Sequence, residues 1–133
     1  KARRKNMSII TIDLKSRIPI YEQIVEGVKK AVVRGILLPD DPLPSVRGLA
    51  AELAINPNTI QKAYSELERQ KIAYSVPGRG SFVSSDTERI ENEHIDRLVS
   101  EIASKAREAM SLGVSRERIE SEINKIWEES RNQ

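Results

Sequence analysis

The segment from residue 43 to residue 83 constrains the fold more than any other part of the chain, because it contains two short helical patterns with almost nothing between them. In the second pattern, Asn56 is a suitable N-cap, and Pro57 fits the first helical position, where its missing N–H would have no helical partner. A helix is therefore predicted to begin at Pro57. Its apolar side chains recur at helical spacing on one face: Ile60, Ala63, Tyr64 and Leu67.

The opposite face of this predicted helix is polar and has no carboxylate in its first two turns. It consists of Asn58, Gln61, Lys62 and Ser65, with Thr59 on the flank. Amides, hydroxyls and an ammonium group can bind base edges and phosphates, and the positive end of the helix dipole also favours phosphate. The pattern therefore predicts a helix that can approach DNA. The alternative, for this helix alone, is an ordinary solvated surface helix.

The preceding helical pattern is barely two turns long. Ser45 is a suitable N-cap, and apolar residues follow at i, i+3, i+4 and i+7: Val46, Leu49, Ala50 and Leu53. Only a short turn separates this helix from Asn56, so the two helices must cross steeply, as they do in a helix-turn-helix. Arg47 lies at the start of the first helix, away from its apolar stripe. That position suits a contact with a backbone phosphate, or an ordinary exposed arginine.

After the second helix, two short extended runs, 73–76 and 81–83, flank the tip sequence PGRG. Gly78 and Gly80 permit a tight hairpin with positive φ angles and a close approach of the backbone to another molecule. Arg79 at the tip can enter a minor groove or bind a phosphate. The whole segment thus predicts a winged helix-turn-helix, a domain that binds DNA.

Four motifs in this half of the chain carry a family resemblance: PIYEQI at 19–24, LPSVRGLA at 43–50, NPNTIQKAYSEL at 56–67 and GRGSFV at 78–83. Together they resemble the DNA-binding domain of GntR-family transcription regulators over about residues 9–84, and the PIYEQI and NPNT sequences most resemble the YtrA-like branch. The resemblance implies a bacterial, dimeric regulator, usually a repressor, that binds a palindromic operator.

The resemblance also implies which residues contact DNA: Arg47, Asn58, Thr59, Gln61, Gly78 and Arg79. The predicted DNA-binding set further includes Ser45, Lys62, Ser65 and Gly80. The chain departs from the family pattern at three positions that favour glycine, which are occupied by Asp40, Ala54 and Lys71. Because lysine adopts left-handed backbone geometry less readily than aspartate, we expect the recognition helix to end differently here.

The other parts of this domain follow from shorter patterns. Apolar residues at helical spacing predict a first helix over residues 20–34, with Gly35 as its C-terminal stop. Residues 9–14 predict a short strand or an extended arm, and the prolines within residues 39–44 predict a turn. Residues 1–8, which carry four basic groups before Met7, are interpreted as a disordered arm or a tag remnant.

From residue 85 the pattern changes to two longer amphipathic helices. Ser85 and Glu88 match a capping box that opens a helix ending near residues 112–113, and Ser115 is a suitable N-cap for the last helix. Each helix carries an apolar stripe, formed by Ile95, Leu98, Val99, Ile102 and Ala106 in the first and by Ile119, Ile123, Ile126 and Trp127 in the second.

A two-helix hairpin has too little interior to bury both stripes by itself, so a partner must cover them. A second copy is the simplest partner and gives a four-helix dimer interface with Trp127 as an anchor. The family resemblance supports this choice, since the corresponding tail of YtrA-like proteins is associated with dimerisation. Two alternatives remain open. The hairpin packs on its own DNA-binding domain, or it docks on another chain, which would make the protein a winged-helix protein-interaction module.

The predicted fold class is mainly α with a small β-wing (α+β), with an N-terminal winged helix-turn-helix at residues 9–84 and a C-terminal two-helix hairpin for dimerisation at residues 85–133. Residues 7–84 carry ten Lys or Arg against eight Asp or Glu, and residues 85–133 carry eight against twelve. The modest basic excess lies with the predicted DNA reader. The absence of cysteine suits a cytoplasmic protein, and without a long apolar run or a signal-peptide pattern we expect neither membrane insertion nor export.

No pattern in the sequence predicts catalysis. His94 is the only histidine, and with Glu91 one turn before it a metal site would still lack ligands, so both residues are expected on a solvated helix face. The GRG loop is too short for a phosphate-binding Walker loop, and the serines lack a histidine partner. We therefore predict a homodimeric regulator that binds double-stranded DNA, with no catalytic site, cofactor or metal. Any effector has to bind between subunits or domains, because the hairpin is too short to enclose a pocket.

Overall fold

The computed structural model describes residues 10–132, in which three helices are followed by one small antiparallel hairpin and then by two further helices. The elements are α1 (Ile20–Val33), α2 (Val46–Leu53), α3 (Pro57–Arg69), β1 (Ala73–Val76), β2 (Gly80–Val83), α4 (Thr87–Ser111) and α5 (Arg116–Arg131). This architecture confirms the predicted fold class. The chain divides into two compact units, one ending at Asn92 and the other beginning at Glu93. The interpretation of residues 1–8 as an arm or a tag remnant lies outside the described residues.

The core of the first unit is formed by the apolar faces of α1, α2 and α3, with β2 closing one side. The largest fully buried side chains are Ile24, Val28, Leu49, Ile60, Leu67 and Val83. Helix α3 packs against both α1 and α2, because its apolar residues recur on a single face. The predicted core face of α3 is therefore confirmed, and its other face remains available to solvent.

Helix α1 ends within one residue of its predicted boundary, and Gly35 follows with a φ of +76°. The strand alternative for the preceding segment is wrong over residues 10–14, where the chain instead packs on α1 and then turns. Ile10 is buried against Gly27, where an added Cβ would lie 3.1 Å from the Ile10 Cγ1 atom. The Gln23 amide holds the turn, because its Oε1 accepts from the Asp13 N–H at 2.8 Å and its Nε2 donates to the Asp13 carbonyl at 3.1 Å.

The wing is a four-residue antiparallel pairing of β1 and β2 that runs from Ala73 opposite Val83 to Val76 opposite Gly80. The segment predicted as a proline-rich turn also pairs with β2, through the Leu43 N–H to the Ser81 carbonyl at 2.8 Å and the Val83 N–H to the Asp41 carbonyl at 2.8 Å. These hydrogen bonds come from the residues on either side of Pro42, so its missing N–H does not interrupt the pairing.

The three positions where the family pattern favours glycine all have left-handed backbone geometry. The φ angles are +64° at Asp40, +56° at Ala54 and +60° at Lys71. The expectation that Lys71 changes the end of the recognition helix is therefore wrong, because the lysine adopts the conformation that a glycine would take. The Ile72 N–H closes the helix end on the Leu67 carbonyl at 2.9 Å.

The N-terminus of α4 differs from the predicted capping box. The Asp86 carboxylate accepts a hydrogen bond from the Arg89 backbone N–H at 3.2 Å, which makes Asp86 the capping residue. The Ser85 hydroxyl instead donates to the Asp40 Oδ1 atom at 3.2 Å. Serine and aspartate are both suitable capping residues, but the Ser85 hydroxyl is bound to Asp40, so Asp86 caps the helix. In α5 the predicted cap is confirmed, since the Ser115 Oγ atom accepts from the backbone N–H of Arg118.

Candidate nucleic-acid interface

Helix α3 presents its predicted polar face to solvent. The Asn56 Oδ1 atom accepts from the Asn58 N–H at 2.7 Å, and Pro57 occupies the first turn, so the helix begins where the sequence predicted. The exposed residues are Asn58, Gln61, Lys62 and Ser65, with Thr59 half-buried on the flank. This face thus offers two amides, two hydroxyls and one ammonium group to a ligand, all but the Ser65 hydroxyl in the first two turns.

Lys62 is positioned by a contact that sequence reasoning missed. Its Nζ atom lies 4.2 Å from the centre of the Tyr21 ring, in the first turn of α1. A cation over an aromatic face is attracted by the ring quadrupole, which restrains the long side chain without neutralising its charge. The contact also places the first turn of α1 next to the exposed face of α3. No sequence signal pairs these residues, because they are far apart in the chain.

The carboxylates at the far end of α3 are bound within the protein. Glu66 accepts hydrogen bonds from Arg69 and from the Gln70 Nε2 atom, the latter at 2.7 Å. These bonds, first from Arg69 and then from Gln70, lower the pKa of the Glu66 carboxyl to about 2. Glu68 accepts from the Ser75 hydroxyl of β1 and so joins the end of α3 to the wing. The negative charges of this helix therefore lie away from its first two turns.

Helix α2 is fixed to α3 at its first turn. The Ser45 Oγ atom accepts from the Gly48 N–H at 2.9 Å, and the Tyr64 hydroxyl donates to the Pro44 carbonyl at 2.7 Å. Burial, with a smaller contribution from Glu52, raises the pKa of Tyr64, so its hydroxyl remains a donor. Arg47 is exposed beside this anchor and forms no ion pair with any residue of the part that the structure describes.

The tip of the wing is a tight turn closed by a hydrogen bond from the Arg79 N–H to the Val76 carbonyl at 2.9 Å. Pro77 and Gly78 fit the two central positions of a type II turn, because the φ of Gly78 is +77°. Gly80 follows with a φ of +110°, so both predicted glycine positions require positive φ. The Arg79 side chain is exposed and has no acidic partner between residues 10 and 132.

The base of the wing is held by an aromatic pair and a hydrogen bond. The rings of Tyr74 and Phe82 stack across the two strands with their centres 5.6 Å apart. The Tyr74 hydroxyl donates to the Asp40 Oδ1 atom at 2.7 Å, and this hydrogen bond is the main reason that the pKa of Tyr74 is raised. The tip of the wing therefore extends from a fixed base.

In the second unit, most of the predicted dimerisation residues are exposed, and α5 has no buried residue. The exposed ones are Ile95, Leu98, Val99, Ile102, Ile123, Ile126 and Trp127, whereas Ala106 and Ile119 are half-buried. A groove of about 830 Å³ between α4 and α5 is lined by the apolar residues Leu98, Ile102, Ala106, Val114, Ile119 and Ile123 and by four charged residues, Glu101, Lys105, Arg118 and Glu122. Each helix of the hairpin therefore carries an apolar face that residues 10–132 leave exposed.

His94 differs from the sequence expectation. It was predicted on a solvated helix face with Glu91, but only 8% of it is exposed, and its Nδ1 atom has no hydrogen-bond partner in the described part of the chain. Its spacing explains the difference, since it lies one turn after buried Ile90 and one turn before Leu98, on the flank of the apolar stripe. Glu91 is exposed, as predicted.

Two properties of residues 10–132 bear on other functions. These residues contain no cluster of three or more acidic, histidine or cysteine side chains that could hold a metal ion. None of their helices is both long enough and apolar enough to cross a membrane.

The short helices α2 and α3, which pack against each other, and the β1–β2 wing define a winged helix-turn-helix, the class of domain that presents a helix to the major groove of DNA. Residues 20–83 match the model of the bacterial regulatory proteins of the gntR family. A crystal structure of a transcriptional regulator from Oenococcus oeni is 37% identical, with a TM-score of 0.76, and the match covers 88% of this chain and 98% of that one. The chain belongs to the GntR family and is a DNA-binding transcription regulator.

Two further relatives agree with this assignment. The transcriptional repressor YtrA of Bacillus subtilis is 49% identical over 78 residues, which are 59% of this chain and 60% of YtrA. This similarity confirms the predicted likeness to the YtrA-like branch. The DNA-binding domain of AraR, solved in complex with operator ORX1, is 29% identical, with a TM-score of 0.52, over 56% of this chain and 96% of that domain. These relatives are transcription regulators and not enzymes, as the sequence predicted.

Proposed function

We propose that this regulator is a homodimeric repressor that acts in the bacterial cytoplasm and binds a palindromic operator. The observation that carries the proposal is the exposed face of α3, which offers amides, hydroxyls and Lys62 but no carboxylate over its first two turns. The exposed arginines Arg47 and Arg79, neither ion-paired within residues 10–132, add positive charge on α2 and on the wing. The related YtrA is named a transcriptional repressor, which supports repression rather than activation.

Each predicted contact has a role that its chemistry supports. Asn58, Thr59 and Gln61 lie in the first turns of α3 and bind base edges in the major groove. Ser45, Arg47, Lys62 and Ser65 bind phosphates. The cap bond of Ser45 is compatible with this role, since its hydroxyl accepts from Gly48 and keeps its own proton to donate. Gly78, Arg79 and Gly80 bring the wing to the minor groove or its phosphates.

The homodimer is supported by the uncovered apolar faces of α4 and α5. Ile102 is 61% exposed and Trp127 is 65% exposed, values that are unusual for large apolar side chains spaced along one helix face. A second copy covers both faces in a four-helix arrangement. Two copies then present two copies of α3 to half-sites about one helical turn, or roughly 34 Å, apart.

The test combines selection of bound sequences from a random DNA pool with the mass of the protein in solution. We expect a palindromic consensus and twice the mass of one chain. A single non-repeated site bound by a monomer would contradict the proposal. Weak binding without sequence preference, by a monomer, would instead support the alternative of a winged-helix protein-interaction module that docks its hairpin on another chain.

A further inference from the structure

The first turn of α1 meets the exposed face of α3 at Tyr21 and Lys62. The Lys62 Nζ atom lies 4.2 Å from the centre of the Tyr21 ring, so the ammonium group sits over the aromatic face. Both residues belong to the first unit, which ends at Asn92. The Lys62 side chain is exposed, and its ammonium group forms no hydrogen bond or ion pair with any residue between 10 and 132. Within that part of the chain, the ring alone holds its charged end.

The position of the Tyr21 ring is fixed by the core of the first unit. Tyr21 is half-buried and packs against the buried core cluster, to which α1 contributes Ile24, Val25 and Val28. Helix α1 packs in turn against α3. The Tyr21 hydroxyl has no hydrogen-bond partner among residues 10–132. Tyr21 therefore offers Lys62 the face of a ring in a fixed place, and the hydroxyl takes no part in the contact.

Lys62 lies in the middle of the polar face of α3. Asn58 is one turn before it and Ser65 one turn after it, and both are exposed. A free lysine side chain rotates about several bonds, and an interface that has to order such a side chain loses affinity to that ordering. A side chain that is already held loses less freedom on binding. The ring covers one side of the ammonium group and leaves its charge and its other side available to a phosphate.

We propose that Tyr21 is a positioning residue for DNA binding, whose ring holds Lys62 where the ammonium group binds a phosphate. The inference rests on the proposed phosphate contact of Lys62. Helix α1 then contributes to the affinity for DNA without supplying a charge, because the attraction to phosphate comes from Lys62 and the ring fixes where that charge lies. Removing the ring therefore weakens binding, whereas removing the lysine also changes the dependence of binding on salt.

The experiment measures the affinity of the full-length protein, over a range of salt concentrations, for a random-sequence duplex and for the operator selected from the random pool. Tyr21→Leu removes the ring, and Tyr21→Phe keeps the ring and removes only the hydroxyl. Lys62→Ala and the double variant with Tyr21→Leu complete a double-mutant cycle. Lys30→Ala removes an exposed lysine from the last turn of α1 and is the control for loss of a charge. Circular dichroism shows whether each variant is folded.

For Tyr21→Leu we expect binding about three- to tenfold weaker for each bound copy, with the slope of log K against log salt concentration unchanged. Lys62→Ala should weaken binding and also reduce that slope by about 0.9 for each bound copy. Both losses should be similar on the two duplexes, since phosphates carry no sequence information. Tyr21→Phe and Lys30→Ala should behave as the wild type. In the Lys62→Ala background, Tyr21→Leu should cause no further loss.

Affinity in Tyr21→Leu that equals or exceeds that of the wild type would overturn the inference. So would an equal loss from Tyr21→Leu with and without Lys62, since such a loss would come from damage to the domain. A loss in Tyr21→Phe as large as in Tyr21→Leu would assign the effect to the hydroxyl and would also overturn it. If Tyr21→Leu does not fold, Tyr21→Met takes its place in the same cycle.

The proposed phosphate contact fails in a different way. If Lys62→Ala binds both duplexes as the wild type does, with an unchanged salt slope, Lys62 does not bind a phosphate, and the inference falls with that contact. This result is visible without any Tyr21 variant. A loss in Lys62→Ala together with wild-type binding by Tyr21→Leu keeps the phosphate contact and overturns only the role of Tyr21.

Discussion

The two units of the chain carry similar amphipathic patterns, but the apolar faces are buried in the first unit and largely exposed in the second. In the first unit, apolar faces meet one another and side chains such as Ile60 are completely buried. In α5 of the second unit no residue is buried, and Ile126 is 57% exposed. The difference teaches that periodicity identifies an apolar face but does not say how many chains are needed to cover it. A single chain buries the apolar faces of the DNA-binding domain, and we infer that two chains are needed to bury those of the hairpin.

The largest expected effect is a difference in the free energy of unfolding between the same substitution on the buried face and on the exposed face. Ile60→Ala should lower the free energy of unfolding by about 2–5 kcal/mol, because it removes buried methyl and methylene groups and leaves a cavity. Ile126→Ala, the same change on the exposed face, should leave the unfolding of a monomeric sample within about 0.5 kcal/mol. Denaturant unfolding at low protein concentration measures both. Equal losses would show that α5 is buried in the monomer.

The next effect tests whether base reading is confined to the first unit. Gln61→Ala should cost about 1–3 kcal/mol at the selected operator, since it removes a group able to bind a base edge, and should leave binding to random DNA nearly unchanged. Asn124→Ala, which removes an exposed amide from α5, serves as the control and should change neither. Fluorescence anisotropy titrations give the affinities. If Gln61→Ala weakens operator and random DNA equally, the residue does not read bases.

A smaller effect concerns the two arginines without ion pairs. Arg47→Ala and Arg79→Ala should each reduce the slope of log K against log salt concentration by about 0.9, the value expected when the protein neutralises one phosphate fewer. Arg107→Ala removes an equal charge from an exposed position on α4 and should leave the slope unchanged. An unchanged slope in both wing and α2 variants would mean that neither arginine neutralises a phosphate.

The smallest expected effect concerns the stability contributed by residues with left-handed backbone geometry in the two units. The first unit holds Lys71 at a φ of +60°, whereas the turn after α4 already has a glycine, Gly113, at +86°. Lys71→Gly should therefore raise the free energy of unfolding by about 1 kcal/mol, because a side chain disfavours left-handed geometry. Gly113→Ala should do the opposite for the hairpin. Thermal unfolding measures both, and a destabilised Lys71→Gly would show that the lysine side chain contributes a contact that outweighs the backbone strain.

Local signals in the sequence were sufficient to predict much of the reader. The Asn56-Pro57 start, the helical spacing of the apolar residues in α3 and the glycines of the wing each act within a few residues, so their patterns are visible in the sequence. The same is true of the Ser45 cap of α2. For the candidate site, sequence alone predicted which side chains of α3 face solvent.

The features that were missed or wrong depend on distant parts of the chain. The pairing of β2 with the segment around Pro42 joins residues about forty positions apart in sequence, and the prolines argued against it. The choice of Asp86 over Ser85 as the cap of α4 was decided by Asp40, which accepts the Ser85 hydroxyl. Neither contact has a sequence period, so neither could be predicted without a fold.

The most direct test of the central claim compares palindrome and half-site binding in the wild type and in Ile102→Asp. Ile102 lies on the exposed face of α4, so the charge should disrupt the interface between copies without disturbing the reader. We expect the wild type to be a dimer that binds the palindrome about a hundredfold or more tightly than the half-site, and the variant to be a monomer that binds both almost equally. A dimeric variant that keeps the palindrome preference would contradict an interface built from the hairpin.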